Sequence, residues 1–275
     1  MGDWNTSSAG VIYQTIGTIQ YANSRGTTLN CATANTKGSF GQLTASTEFD
    51  AQGILVHMSH PSTNCGALLD IGIGPKDSEQ VLIPDLHLDH VHGAGAVPCS
   101  SWYFSIEVPA NERISARIAT STAATVDTMA VLISKSIESD QTFSRVLTYG
   151  KTVVGSRGTS INCGSSVNTK GSWVQIGIVE MNTRMVFISL GSAQNTQLAE
   201  ADFLMDIGIG LLGVETAVIG NIPFASSAQG DTFFPRTIGP LPCSIPAGQR
   251  VSVRGQCSTT DSADRIFDVL LHFIG

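Results

Sequence analysis

A chain of 275 residues is long enough for two domains that each bury a core without staples. With 42% hydrophobic and only 13% charged residues it is not a disordered chain, and the Ser, Thr and Gly that replace charge point to a β-rich surface. A net charge of −7, a pI near 5.2 and the lack of any Lys/Arg cluster argue against direct nucleic-acid binding, and no apolar run approaches the ~20 residues of a membrane-spanning helix.

The N-terminus, MGDWNTSSAG, lacks the basic and apolar regions of a signal peptide, so synthesis in the cytosol is expected. The first anchor is Ser24-Arg25-Gly26-Thr27-Thr28-Leu29-Asn30-Cys31, followed by Asn35-Thr36-Lys37-Gly38-Ser39-Phe40. Then come Leu69-Asp70-Ile71-Gly72-Ile73-Gly74 with Glu79 beyond it, and Val108-Pro109-Ala110 leading into Arg113-Ile114-Ser115-Ala116-Arg117. Ser121-Thr122 and the apolar run Met129 to Ile133 close the series. After a polar stretch, Ile137 to Thr142, the same order returns. Ser156 to Cys163 repeats the first anchor at an offset of 156 − 24 = 132, and Asn168-Thr169-Lys170-Gly171-Ser172-Trp173 the second at 168 − 35 = 133. Met205-Asp206-Ile207-Gly208-Ile209-Gly210 with Glu215, then Ile245-Pro246-Ala247, Arg250-Val251-Ser252-Val253-Arg254, Ser258-Thr259 and the run Asp268 to Ile274 complete the second copy.

A period above ~100 residues is too long for a solenoid unit, so each copy is expected to be a whole domain, 1–140 and 141–275, with its own core and a firm junction free of Pro and Gly near 137–148. Alternation of the kind seen in Arg113 to Ile118 and Arg250 to Arg254 places successive side chains in core and water, and turn residues recur every ~8–12 positions. The expected fold is all-β: two tandem antiparallel β-sandwiches, jelly-roll-like, related by internal duplication. Arg113 with Arg117, and Arg250 with Arg254, share one face in each copy and are expected to bond loops and Asp70 or Asp206 within the scaffold. Phe40 and Trp173 are expected in the cores. Six widely spaced cysteines without a C-x-x-C pair are expected as small buried thiols.

Three patterns suggest chemistry and fall short of it. Gly208-Ile209-Gly210-Leu211-Leu212-Gly213 fits G-x-G-x-x-G, but a strand-like segment follows where a phosphate site needs a helix N-terminus, and copy one breaks the pattern at Pro75. His87-Leu88-Asp89-His90-Val91-His92 is the most metal-like cluster, and His87, Asp89, His90 and His92 are the candidate ligands. Alternation would divide them between two faces and copy two has no histidine there, so a solvated loop or an interface is the favoured reading and no cofactor is expected. No G-x-S-x-G elbow is present, and His57 and His60 have no counterparts in copy two. Paired carboxylates of a glycosidase are a question of distance that sequence does not answer.

The D-I-G-I-G turn followed by Glu, then I-P-A-G-Q-R-V-S-V-R and a Ser-Thr turn, resembles a signature of structural proteins of tailed-phage virions. It covers most of both copies, and copy one departs from it with Val-Pro-Ala-Asn-Glu-Arg. The resemblance brings no catalytic residue. It implies a non-enzymatic virion component of the head (decorating or cement), tail or baseplate, made in the host cytoplasm and acting through contacts with other virion proteins. A homo-oligomer is expected, a trimer favoured, with edge strands or His87 to His92 in the interface. The alternative is a carbohydrate-binding host-receptor module using Trp102, Tyr103, Phe233 and Phe234, unless these fill the cores; a hydrolase with dispersed carboxylates comes third.

Overall fold

The computed structural model describes residues 5–6, 10–17, 26–59, 61–90, 99–135, 143–192, 200–227, 232–261 and 265–275. The first copy supplies β1 (Asn5–Thr6), β2 (Ile12–Ile16), β3 (Thr27–Cys31), β4 (Gly41–Thr44), β5 (Gly53–Ser59), β6 (Cys65–Ile73), β7 (Gln80–His90), β8 (Cys99–Phe104), β9 (Ile114–Thr120) and β10 (Ala124–Ile133). The second supplies β11 (Val146–Tyr149), β12 (Thr159–Asn162), β13 (Val174–Ile178), β14 (Met185–Gly191), β15 (Ala201–Ile209), β16 (Thr216–Ser227), β17 (Thr232–Phe234), β18 (Thr237–Pro242), β19 (Arg250–Cys257) and β20 (Ile266–Ile274). Among the described residues no helix is long and apolar enough to cross a membrane.

Every named strand pair is antiparallel, and the two copies have one topology. In the first, the sheet β1-β2-β10-β5-β8, with β3 also on β10, accompanies the sheet β4-β9-β6-β7. In the second, β11-β20-β14-β18, with β12 on β20, accompanies β13-β19-β15-β16-β17. The collinear halves β2 and β3 count as one strand, because both pair with successive parts of β10. Numbered within the repeat, the sheets then read 1-8-3-6 and 2-7-4-5, the strand order of a jelly roll, and β11 to β20 repeat it with β17 added at an edge. The chain is therefore a tandem of two jelly-roll sandwiches. Residues 136–142, on which the first half of the expected junction falls, lie outside the described residues.

Alternation explains the cores. On β14, Val186, Ile188 and Leu190 point into the second core, and on β20 so do Phe267, Val269, Leu271 and Phe273. Phe203, Phe224, Phe233 and Phe267 pack there edge-to-face and stacked, with centroids 5.0–6.4 Å apart. The intervening residues Met185, Phe187 and Ile274 join the first core instead, together with Phe143 and Val146. The outer face of the second copy's first sheet is thus buried under the first copy. Phe104 and Phe187 meet across this seam at 5.3 Å.

Candidate functional site at the seam between the repeats

The duplicated charged residues form one lattice in each copy. Asp70 accepts Lys37 Nζ at 2.7 Å, Arg117 Nε at 2.9 Å and the Asp85 N–H at 3.0 Å; Asp206 accepts Lys170 Nζ at 2.8 Å, Arg254 Nε at 2.9 Å and the Asn221 N–H at 2.8 Å. Asp85 and Asn221 have φ of 54° and 56°, a left-handed conformation that Asp and Asn tolerate, and each lies where the register with β6 or β15 shifts. The aspartate of the D-I-G-I-G turn therefore holds a bulge in the next strand. Burial alone would raise the Asp70 pKa, but the Lys37 charge and hydrogen bond, the Asp85 N–H and Arg117 outweigh it and hold the carboxyl below its ordinary range. Asp206 is lowered in the same way, burial being outweighed by Lys170, the Asn221 N–H and Arg254. Arg113 pairs with Glu79 at 2.6 Å and Arg250 with Glu215 at 2.5 Å, which explains the glutamate kept at equal spacing. The expectation that these arginines serve the scaffold agrees with this geometry.

Phe40 and Trp173 are corrections. Both are half-buried on the outer side of the sheet, where Arg117 caps the Phe40 ring at 4.5 Å and Arg254 the Trp173 ring at 4.4 Å. Beneath them lie Gly72 and Gly208, where an added Cβ would stand 2.6 Å from the ring. Gly208→Ala is accordingly expected to cost about 1–3 kcal/mol in urea unfolding and to shift Trp fluorescence to the red as the ring lifts. The nearby G-x-G-x-x-G glycines lie on β15 and its turn to β16, not at a helix N-terminus.

The seam collects the copy-specific polar residues. Trp102 Nε1 donates to Ser189 Oγ at 3.0 Å, Ser189 Oγ lies 2.8 Å from His272 Nε2, and Thr148 Oγ1 lies 2.7 Å from His272 Nδ1 and donates to the Pro84 carbonyl at 2.6 Å. The indole only donates and the carbonyl only accepts, so the chain has one proton order: Ser189 donates to Nε2, and Nδ1–H donates to Thr148. Burial, reinforced by nearby His87, pushes His272 down to about 3, so it is neutral.

His87 is 1% exposed and packs against Gly191, and neither ring nitrogen has a partner among the described residues. Burial pushes it down to about 4, the Asp89 charge opposing and Arg236 assisting. Asp89 Oδ2 accepts the N–H and hydroxyl of Ser192, and Arg236 donates to the Asp89 carbonyl. Asp268 accepts Ser160 Oγ at 2.7 Å; its burial raises it to about 7 against that bond and the Arg157 charge, with Asp89 adding to the rise. Asn35 receives Gly155 N–H and the Ser156 hydroxyl, and Lys151 reaches Asp85 at 3.2 Å.

These positions revise the sequence reading. The His87 segment is an interface, but one inside the chain, and His87 and Asp89 are both buried rather than solvated. Alternation holds here: His87 and Asp89 share one face of β7, opposite the core residues Leu86 and Leu88, and that face meets the second copy. The side chain of His90, and His92 altogether, lie outside the described residues, as does His60. Among the described residues no three His, Cys, Asp or Glu side chains are grouped to hold a metal ion. Trp102 and Phe233 are 0% and 1% exposed, so neither can meet a receptor; Tyr103 is half-buried and Phe234 is 53% exposed. Five cysteines are buried thiols, but Cys99 is exposed, at the start of β8. Burial pushes the thiols of Cys65 and Cys163 up to about 12, which leaves them unreactive near neutral pH.

No protein-family model matches the chain, and no curated protein matches it in sequence. Among solved structures it is similar to the STIV MCP, at 9% identity and a TM-score of 0.38 over 96% of this chain and 95% of that one. The tandem CBM22-1-CBM22-2 domain of Paenibacillus barcinonensis Xyn10C is 10% identical, with a TM-score of 0.29 over 98% and 92% of the two chains. PNGase F of Flavobacterium meningosepticum, a glycosylasparaginase, is 7% identical, with a TM-score of 0.32 over 90% and 96%. The strand order itself, rather than these distant likenesses, defines the fold.

Proposed function

We propose that this chain is a non-enzymatic structural component of a tailed-phage virion, a decorating, cement, tail or baseplate protein that works through protein contacts. One observation carries the reading: the outer face of a β-sheet along β14 and β20, with Phe187, His272 and Ile274, already serves as a docking surface for another sandwich. The charged side chains duplicated in both copies are engaged in holding each scaffold, which leaves recognition to polar and apolar β-surface. The resemblance of the D-I-G-I-G and I-P-A-G-Q-R segments supports the virion setting, and with it synthesis in the host cytoplasm and partners among other virion proteins. A closed homo-oligomer fits a duplicated chain, and a trimer is favoured because it sets six sandwiches around one axis.

The exposed Phe234 favours a second reading, a glycan-binding receptor module, since an aromatic ring in solvent can stack on a sugar. A glycan array probed with the purified chain separates the two. The assembly reading expects no glycan retained and an oligomer in solution; a monomer that holds a glycan through Phe234, lost in Phe234→Ala, would replace it.

A further inference from the structure

Within the chain, the margin of the first sandwich formed by β7 and β8 lies on the outer face of the sheet containing β11, β14, β18 and β20. This contact is heterologous: a margin of one repeat meets a face of the other. The repeats share one topology apart from β17, which covers Ala225 to Ser227 at the edge of β16, so each half of the contact exists a second time, the margin from Thr216 to Phe224 being left open.

The second face belongs to the first copy. The ladder register makes Leu55 the equivalent of Phe187, and Val131 the equivalent of His272. Phe187 and His272 are 4% and 0% exposed under the first sandwich, whereas Leu55 is 37% exposed and Val131 half-buried. Tyr103, paired with Leu55, extends the same apolar face. The second margin belongs to the second copy. Asn221 and Pro223 on β16 stand where β7 has Asp85 and His87, yet both are exposed, as are Val218 and Phe234. The open margin contains no charged residue from Thr216 to Phe224. The margin is uncharged along β16 and the centre of the face, Leu55, Tyr103 and Val131, is apolar, so these parts meet without desolvating a new charge; Asp127, on the same face of β10, is already buried and bonded by Thr28.

We propose that the open margin around Pro223 binds the open face around Leu55 and Val131 of a second copy of this chain, continuing between chains the head-to-tail contact made within it. Such a contact closes into a ring or extends as a filament according to its rotation. It rests on the assembly reading above for its class of partner, and it fails separately, since a chain could enter particles through other surfaces.

The test uses the full chain and two charge insertions on exposed positions, Leu55→Arg on the face and Pro223→Arg on the margin, with thermal unfolding as a check that each variant folds. In sedimentation velocity at about 100 µM the natural chain is expected above its monomer mass of 28.9 kDa, and each variant alone at that mass. Mixed in equal amounts, the variants retain one intact margin and one intact face. They are expected to form a species of twice the monomer mass and nothing larger. A monomeric natural chain, variants that still assemble as it does, or a mixture that stays monomeric would each overturn the proposal. A variant that fails to fold is replaced by Val131→Arg or Phe234→Arg, with the same outcomes read.

Discussion

Asp206→Ala is expected to destabilise the chain by about 2–4 kcal/mol and Asp70→Ala by less, measured by urea unfolding. Breaking a fully buried ion pair costs about 3–5 kcal/mol because the remaining charge is left uncompensated. Here the cations retain some water: the side chains of Lys170 and Arg254 are 18% and 31% exposed, which sets the expected cost somewhat below that range. Each replacement also orphans the N–H of a left-handed residue, Asn221 or Asp85. The copies differ in what the lysine keeps. Without Asp70, Lys37 still pairs with Asp85 at 2.9 Å; without Asp206, Lys170 keeps only the Leu204 carbonyl among its described polar partners, because the second copy has Asn221 where the first has Asp85. Both aspartates are held below their ordinary pKa in the fold, so their contribution is present above the ordinary carboxylate range and is lost as pH falls through the folded values. The gap between natural and mutant stability should therefore narrow in acid. Equal losses for the two variants would show that Asp85 does not compensate.

The paired seam histidines should respond to one substitution in different ways. His272→Leu is expected to cost about 1–3 kcal/mol at pH 7, because the buried Ser189 hydroxyl loses its acceptor. His87→Leu should cost little or add stability, since neither nitrogen has a hydrogen-bond partner among the described residues. Acid makes the two alike. Folded values of about 4 and 3 lie below the ordinary 6.5, so burying either ring carries no protonation penalty above pH 6.5 and costs increasing stability as pH falls towards its folded value. Asp268 has the opposite sign: raised from 3.8 to about 7, it adds stability as pH falls through that interval. Between pH 6.5 and 4 the unfolded chain binds two protons on the histidines that the folded chain does not, and the folded chain binds one on Asp268. The net of one proton gives a loss of about 1.4 kcal/mol per pH unit from these groups. Removing either histidine should nearly flatten that slope, and Asp268→Asn should roughly double it. Urea unfolding of the four proteins at several pH values reads all of this, and identical slopes would refute the assignment.

The sandwich architecture was legible because alternation and the ordered anchors report local structure twice. The Arg–Asp lattice was legible for a related reason: a pairing needed by every copy leaves its residues in both, as Asp70 with Arg117 and Asp206 with Arg254 do. The aromatic caps were not, since a ring can lie outside a sheet only if the neighbouring strand offers a glycine, and nothing local links Phe40 to Gly72 or Trp173 to Gly208. The seam was half legible. His87 and Asp89 stand where the second copy has Pro223 and Ala225, and His272 stands where the first copy has Val131; polar residues that break the repeat on strands otherwise shared are the signal that those strands face the other repeat.

The function proposed for the chain is tested most directly by its copy number in purified virus particles, measured by isotope-dilution mass spectrometry against a known capsid protein. The account predicts many copies per particle, in a fixed ratio that survives gradient purification. Particles free of the chain, with all of it in the soluble fraction of the lysate, would contradict it.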